Sequence, residues 1–429
     1  MKTYNSYKPS GVEWIGNIPE NWRRSKYKYN ISILSGFPFK SELFDNISGF
    51  PIMRIRDISS GKIETFYTGE YQEEYIVKKG DLVIGMDGEF NIRLWDNSDI
   101  LLNQRCCKIN QTKNIIQKYI YYTLPFDLKI INDLTYYTTV KHLSVNDLRN
   151  IFCIIPPLHE QEQIVNYLDQ KTSIIDKLVS IKERKIELLK EQRSSLINQI
   201  ITKGLNPNVK MKDSGVEWIG EIPESWNLIS IKHLVSTKIT DGPHETPIFV
   251  DNGVPFLSVE SVQDGKLDFN KKRGFISVEL NNIYSKKCLP KRDDVLIVKS
   301  GSTTGKSTIV ETDELFNIWS PLCIVRSNKN KIIPRFTFTS IQSNYFRKFI
   351  EIGWSFGTQP NIGMGVIENL KLVVPTNIKE QQEIVDYLDK HTKEIDDLVS
   401  MEQKKIELLK EFRQSLISEV ITGKIKVVE

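Results

Sequence analysis

The run GSTTGKS at Gly301–Ser307 is the first place in this chain where residue types and spacing suggest chemistry, because glycines followed by Lys and Ser can cradle a phosphate. A nucleotide-binding loop of that kind needs four residues between its first Gly and the Gly-Lys pair, and a helix opening behind the Lys. Here only Ser302, Thr303 and Thr304 intervene, and strand-like segments flank the run at Val295–Val298 and Thr308–Val310. It reads instead as a hairpin loop offering small hydroxyls and one Lys to DNA. The histidines, His142, His159, His233, His244 and His391, have no partner at metal-ligand spacing. The cysteines, Cys106, Cys107, Cys153, Cys288 and Cys323, are odd in number and include no C-x-x-C pair. Half-buried strand thiols in a reducing cytosol are therefore expected, rather than a zinc site or a disulfide framework. No G-x-S-x-G elbow, dinucleotide fingerprint or N-P-P-[FY]-type methyltransferase sequence is present, so no catalytic or metal site is expected.

Side chains suited to reading a duplex are more widely spread. In the first third they are Lys40, Arg54, Arg56, Arg93, Arg105, Lys141 and His142. Beyond the middle they are His244, Lys271, Lys272, Arg273, Lys299, Ser302, Thr303, Lys306, Gln359 and Asn361. Arg can pair bidentately with guanine, and Asn or Gln with adenine, whereas most Lys suit phosphate or water. Charge permits such contact without requiring it. The net value is +4; residues 1–155 hold 20 basic against 17 acidic residues and 205–375 hold 21 against 18, while the rest is slightly acidic.

These candidates sit on a chain that is written twice. SGVEWIG occurs at Ser10–Gly16 and Ser214–Gly220, and IPENW at Ile18–Trp22 returns as IPESW at Ile222–Trp226. EQEQIVNYLD at Glu160–Asp169 returns as EQQEIVDYLD at Glu380–Asp389, and IELLKE repeats unchanged at Ile186–Glu191 and Ile406–Glu411. About 24 of 41 positions agree between Ile164–Gly204 and Ile384–Lys424, whereas the blocks between the motifs agree far less. One scaffold carrying two different surfaces is the natural reading. The expected divisions are 1–155, 156–204, 205–375 and 376–429. Trp14, Trp22, Trp218 and Trp226 could dock a partner, but anchoring the first segment of each block is the favoured role.

Residues Glu160 to Thr202 lack Pro and Gly, and Gly204 offers a stop. The second copy opens with Asn377-x-x-Glu380 at capping-box spacing and closes at Gly423. A seven-residue stripe runs through Leu168, Ile175, Lys182, Leu189 and Leu196, and again through Leu388, Ile395, Glu402, Leu409 and Leu416. This is a coiled-coil seam on an antiparallel helix pair, with Lys182 expected near Glu402 as a register device. Short strand-like runs at Pro51–Arg56, Asp81–Ile84, Cys106–Ile109, Val254–Val259, Val295–Val298 and Cys323–Arg326 predict mixed, mostly antiparallel sheets. Helices are expected near Gln117–Leu124 and Arg335–Ile350. The fold class is thus α+β: two mixed α/β domains separated by an antiparallel pair of long coiled-coil helices, in a pseudo-two-fold internal repeat. No apolar run reaches the roughly 18 residues of a membrane span, so a soluble, cytoplasmic protein without membrane contact is expected.

The paired SGVEWIG-x-IP-E-x-W and EQ-x-x-IV-x-YLD…IELLKE motifs resemble those of specificity subunits of type I restriction–modification systems, across essentially the whole chain. QPNIG at Gln359–Gly363 resembles the family's late recognition-domain motif, where the first block has Val140-Lys141-His142-Leu143. The resemblance implies that each variable block is a target-recognition domain reading one half of a split sequence in double-stranded DNA. It implies that the helices set the spacing and dock two modification subunits, joined where present by two restriction subunits. No cofactor is implied for this chain; S-adenosylmethionine, ATP and Mg would sit on the partners. The rival readings are a duplicated protein-interaction scaffold, distinguished by the absence of salt-sensitive, sequence-selective DNA binding, and an ATP-dependent enzyme, which fails if Lys306→Ala impairs only DNA affinity.

Overall fold

The computed structural model describes residues 2–134, 141–263, 265–353 and 360–427, with backbone alone for 130–134. The chain forms two compact units, Met1–Lys182 with Lys404–Glu429, and Glu183–Gln403. Both divisions fall inside long helices. The first long helix spans Leu158–Lys203 and the second Ile378–Ile421; at 1.5 Å per residue each is about 65–70 Å long.

Each unit is built around a four-stranded antiparallel sheet. In the first the order is Ile92–Leu94, Leu82–Gly85, Cys106–Gln111, Ile31–Ser35, and in the second Ser307–Ile309, Val295–Val298, Leu322–Val325, Thr240–Asp241. The centres of these sheets are continuous apolar runs, and Leu82–Val83–Ile84 and Val295–Val298 are buried throughout because both faces are covered. A second sheet in each unit holds one parallel pair: Phe50–Met53 with Ile100–Leu102, and Val254–Leu257 with Asn317–Ile318. The expected predominance of antiparallel pairing holds, with the same parallel exception in both copies.

Several expected boundaries shift. The strand expected over Pro51–Arg56 ends at Met53, and a helix covers Ile55–Ser60, because Asp57 Oδ2 accepts from the Arg54 backbone N–H and turns the chain. The helix near Gln117 runs on to Leu134. The single helix expected over Arg335–Ile350 is two, Pro334–Ile341 and Asn344–Gly353, with Ser343 Oγ bonded to Ser340 O in the break. The long helices end where expected, at Gly204 and Gly423, both left-handed (φ 76° and 73°). There a Cβ would press on Trp226 in one copy and on Pro19 and Trp22 in the other, so glycine is required twice over.

The seam also forms. Leu168, Ile175, Leu189, Leu388, Ile395 and Leu416 are buried, while Leu196 and Leu409 are partly buried against the two cores. In the second unit Arg193 meets Asp396 at 2.9 Å and Lys185 meets Glu402 at 3.0 Å, an order that makes the helices antiparallel there. In the first unit Arg413 meets Asp176 at 2.9 Å. Glu402 is a buried carboxylate, as a register device would be, and within its unit Lys185 pairs with it; the expected Lys182 belongs to the other unit.

Candidate functional site

The repeated motifs clasp each sheet domain to a long helix. Glu160, buried near the start of the first long helix, accepts from Trp22 Nε1 at 2.9 Å, from Tyr4 Oη at 2.9 Å and from the Asn21 amide. Its neighbour Gln161 accepts from the Ile116 backbone N–H at 2.9 Å and donates to the carbonyls of Asn114 and Pro156. The second copy repeats the pattern. Glu380 accepts from Trp226 Nε1 at 3.1 Å, and Gln381 accepts from Ile333 N–H at 2.9 Å and donates to Lys331 and Pro375 carbonyls. Two turns further, Asp169 takes Lys118 and Tyr122, and Asp389 takes Arg335. Every side-chain polar atom of the buried Glu160, Gln161, Gln381, Trp22 and Trp226 thereby finds a partner, as burial demands.

Trp22 and Trp226 are fully buried anchors, whereas Trp14 and Trp218 remain half-exposed, so anchoring belongs to one Trp of each pair. The expected capping box at Asn377 is only half made. Asn377 Oδ1 accepts from Lys379 N–H, but Glu380 turns to Trp226.

The clasp presents equivalent loops in both units. In the first, the turn after Leu82–Gly85 is bridged to the 141–143 segment: Leu143 N–H donates to Met86 O (2.8 Å) and Gly88 N–H to Lys141 O (2.9 Å), with Asp87 opposite His142. In the second, Ile362 N–H donates to Lys299 O (2.8 Å) and Gly301 N–H to Pro360 O (3.1 Å), with Ser300 opposite Asn361. His142 and Asn361 therefore hold the same backbone position, as the placing of VKHL opposite QPNIG in the sequence had implied despite their unlike residues.

The side chains on this shared frame differ. In the first unit His142 Nδ1 lies 2.6 Å and Arg105 Nε 3.7 Å from the Asp87 carboxylate, and Lys141 is half-buried beside them. Arg54 and Arg56 are exposed at the start of the Ile55–Ser60 helix, and Lys40 is exposed before the turn Ser41–Leu43. Arg56 pairs with Glu64 at 3.1 Å. Arg93 is committed to Asp96 (2.9 Å) and packs against Gly61.

In the second unit Asp241, which sequence reasoning missed, gathers two lysines and a histidine: Lys287 at 2.7 Å, Lys299 at 3.0 Å and His244 at 3.1 Å. Burial opposes its ionisation, but the two ammonium groups outweigh that and hold the carboxyl below the usual carboxylate range. The DGPH turn at Asp241–His244 was the available signal. Arg273 stacks over the Trp319 ring at 4.5 Å and meets Glu260 at 3.3 Å; the Trp319 indole donates to Glu245 O, next to His244. Lys272 lies over Phe275 and Lys271 is exposed. The 299–306 stretch is the expected hairpin loop between antiparallel strands, exposing Ser302 and Lys306 with Thr303 half-buried. Lys299 itself is almost entirely buried. Asn361 is exposed, and Gln359 lies outside the described residues.

All five cysteines are free and fully rather than half buried, four in strands and Cys288 after a helix. Burial pushes the thiols of Cys106, Cys107, Cys153 and Cys323 up to about 12, and that of Cys288 to about 11, which removes the thiolate needed for reactivity. Among the described residues no helix is long and apolar enough to cross a membrane.

The model of the type I restriction modification DNA specificity domain matches the chain twice, over residues 19–191 and 223–409. The chain is 28% identical over 422 residues to the type I restriction enzyme EcoBI specificity subunit of Escherichia coli, covering 96% of this chain and 88% of that one. It is 26% identical to the MjaVIII specificity subunit of Methanocaldococcus jannaschii, covering 96% and 94%. A solved chain from work on complex assembly and conformational transition of the type I R-M system superposes with a TM-score of 0.69 at 17% identity, covering 95% of this chain and 99% of the other.

Proposed function

Because the chain belongs to the family of type I restriction modification DNA specificity domains, we propose that it is the non-catalytic DNA-recognition subunit of a type I restriction–modification complex, each unit reading one half of a bipartite target. The observation that carries this is the shared loop frame with unlike side chains. Asp87, Arg105 and His142 occupy it in one copy, and Ser302, Thr303, Lys306 and Asn361 in the other. Equivalently bridged backbones carrying different donors and acceptors are what two readers of different half-sites require. In this reading Asn361 faces a base edge, while the buried Lys299 and the committed Arg93 shape the loops from beneath.

The long helices dock the modification subunits. Each keeps apolar side chains exposed at matching repeat positions: Leu178, Ile181 and Leu188 on the first, and Leu398, Met401 and Leu408 on the second. A stripe of this kind, on the side away from the buried seam, suits partner helices. S-adenosylmethionine sits on those partners, and ATP and Mg on a restriction subunit where one joins.

The test is a methylome of cells expressing this chain with its cognate modification subunit. One split asymmetric motif, methylated on both strands, is expected. Replacing residues 1–155 by the corresponding block of a relative changes one half of that motif only. An assembled complex that adds no sequence-specific methylation overturns the reading in favour of a protein scaffold.

A further inference from the structure

We propose that the first unit holds a binding site for an organic cation, a guanidinium or alkylammonium group on a short apolar stem, in a cavity closed at its inner end by the Asp127 carboxyl. The cavity has a volume of about 300 Å³. It lies between the Gln117–Leu134 helix, the strand Phe152–Ile155 and the last turns of the second long helix, and Trp14, Phe126, Phe152 and Ile421 form its walls.

Asp127 is only 7% exposed. It receives a long hydrogen bond from Tyr27 Oη (3.4 Å) and a contribution from Trp14, and no cation pairs with it among the described residues. Burial pushes its carboxyl up to about 8, against the effect of those two hydrogen bonds. The nearby positive groups are engaged or peripheral. Arg24 and Lys26 lie over the Phe152 ring at 3.7 and 5.1 Å, and Lys129 is exposed at the mouth.

The carboxyl thus lies in the middle of a continuous helix, beneath aromatic and apolar side chains, at a place where a buried acid without a cation serves no packing purpose. A carboxyl facing a hollow between aromatic rings is suited to a cation with an apolar stem, which gains from both the ion pair and the ring faces.

Binding converts the neutral carboxylic acid and the cation into a carboxylate–cation pair and releases one proton to the buffer. Isothermal titration of the full chain near pH 7 with n-butylguanidinium, n-butylammonium and n-butanol, each in two buffers of different ionisation enthalpy, tests this. The two cations are expected to bind with release of close to one proton each, and n-butanol far more weakly without release. Asp127→Asn is expected to weaken both cations roughly tenfold or more and to abolish the proton release. Equal binding of n-butanol, unchanged cation affinity in the Asn variant, absence of proton release, or no binding at millimolar concentration would each overturn the proposal. The proton count is read on the unaltered protein, so it stands even if the variant folds poorly.

Discussion

At the scale of single residues, the motif Glu-Gln of the long helices is a set of hydrogen bonds rather than a contact surface. Glu160→Ala removes the acceptor of three donors and leaves the fully buried Trp22 N–H without one. A loss of about 2–3 kcal/mol is expected in urea denaturation, with Glu160→Gln milder, because a charged acceptor makes the stronger bonds. Asp127 supplies a pH signature. Its carboxyl titrates near 4 when unfolded and at about 8 when folded, so the folded chain holds the proton more tightly between these values. Its contribution to stability is therefore best below pH 4 and is lost as pH rises towards 8. Asp127→Asn should be more stable than the parent at pH 8, by about 2 kcal/mol or more, with the gain vanishing near pH 4; a constant difference across a urea-denaturation pH series would show that Asp127 is not the titrating group. That a Glu and a Trp recur at fixed places was legible in the sequence. That they meet was not, because some 140 residues separate Trp22 from Glu160 and no local pattern encodes that distance.

At the scale of elements, the helices were the most legible part, since heptad spacing and the absence of Pro and Gly are local properties of the chain. The charge pairing was less so. Lys182 and Lys185 lie one turn apart, and only Lys185 belongs to the same unit as Glu402, to which it is bonded. Glu402→Lys places a second cation opposite Lys185 in a buried site, and a loss of about 3 kcal/mol or more is expected by thermal or urea unfolding. Adding Lys185→Glu should recover part of it. The exposed stripe behaves differently. Ile181→Asp or Met401→Asp should leave the unfolding midpoint within about 0.5 kcal/mol of the parent, as for other surface changes, while weakening co-purification with the modification subunit. Loss of folding instead would place these residues in the core. Strand ends were the least legible elements. At Met53 a side-chain acceptor, Asp57, starts a helix inside what reads as one strand-like run.

At the scale of the whole molecule, the duplication makes a prediction about spacing. One heptad inserted at matched positions in both helices keeps the seam in phase and adds about 10 Å of length. The gap between the two half-sites should then grow by about three base pairs at 3.4 Å each, with both half-sequences unchanged; a methylome that shows the old gap rules out the helices as its determinant. The sequence by itself determined the family, the repeat, the two helices with their glycine stops and the alternation of constant and variable blocks, because motif identity and periodicity are carried by neighbouring residues. Only the tertiary structure decided which residues share a surface. It showed how the backbones around His142 and Asn361 are bridged to the loops opposite, that Lys299 is buried on Asp241, that Arg93 is turned to Asp96, and that a hollow lies against the Asp127 carboxyl. Those relations depend on segments far apart in the chain being brought within hydrogen-bonding reach.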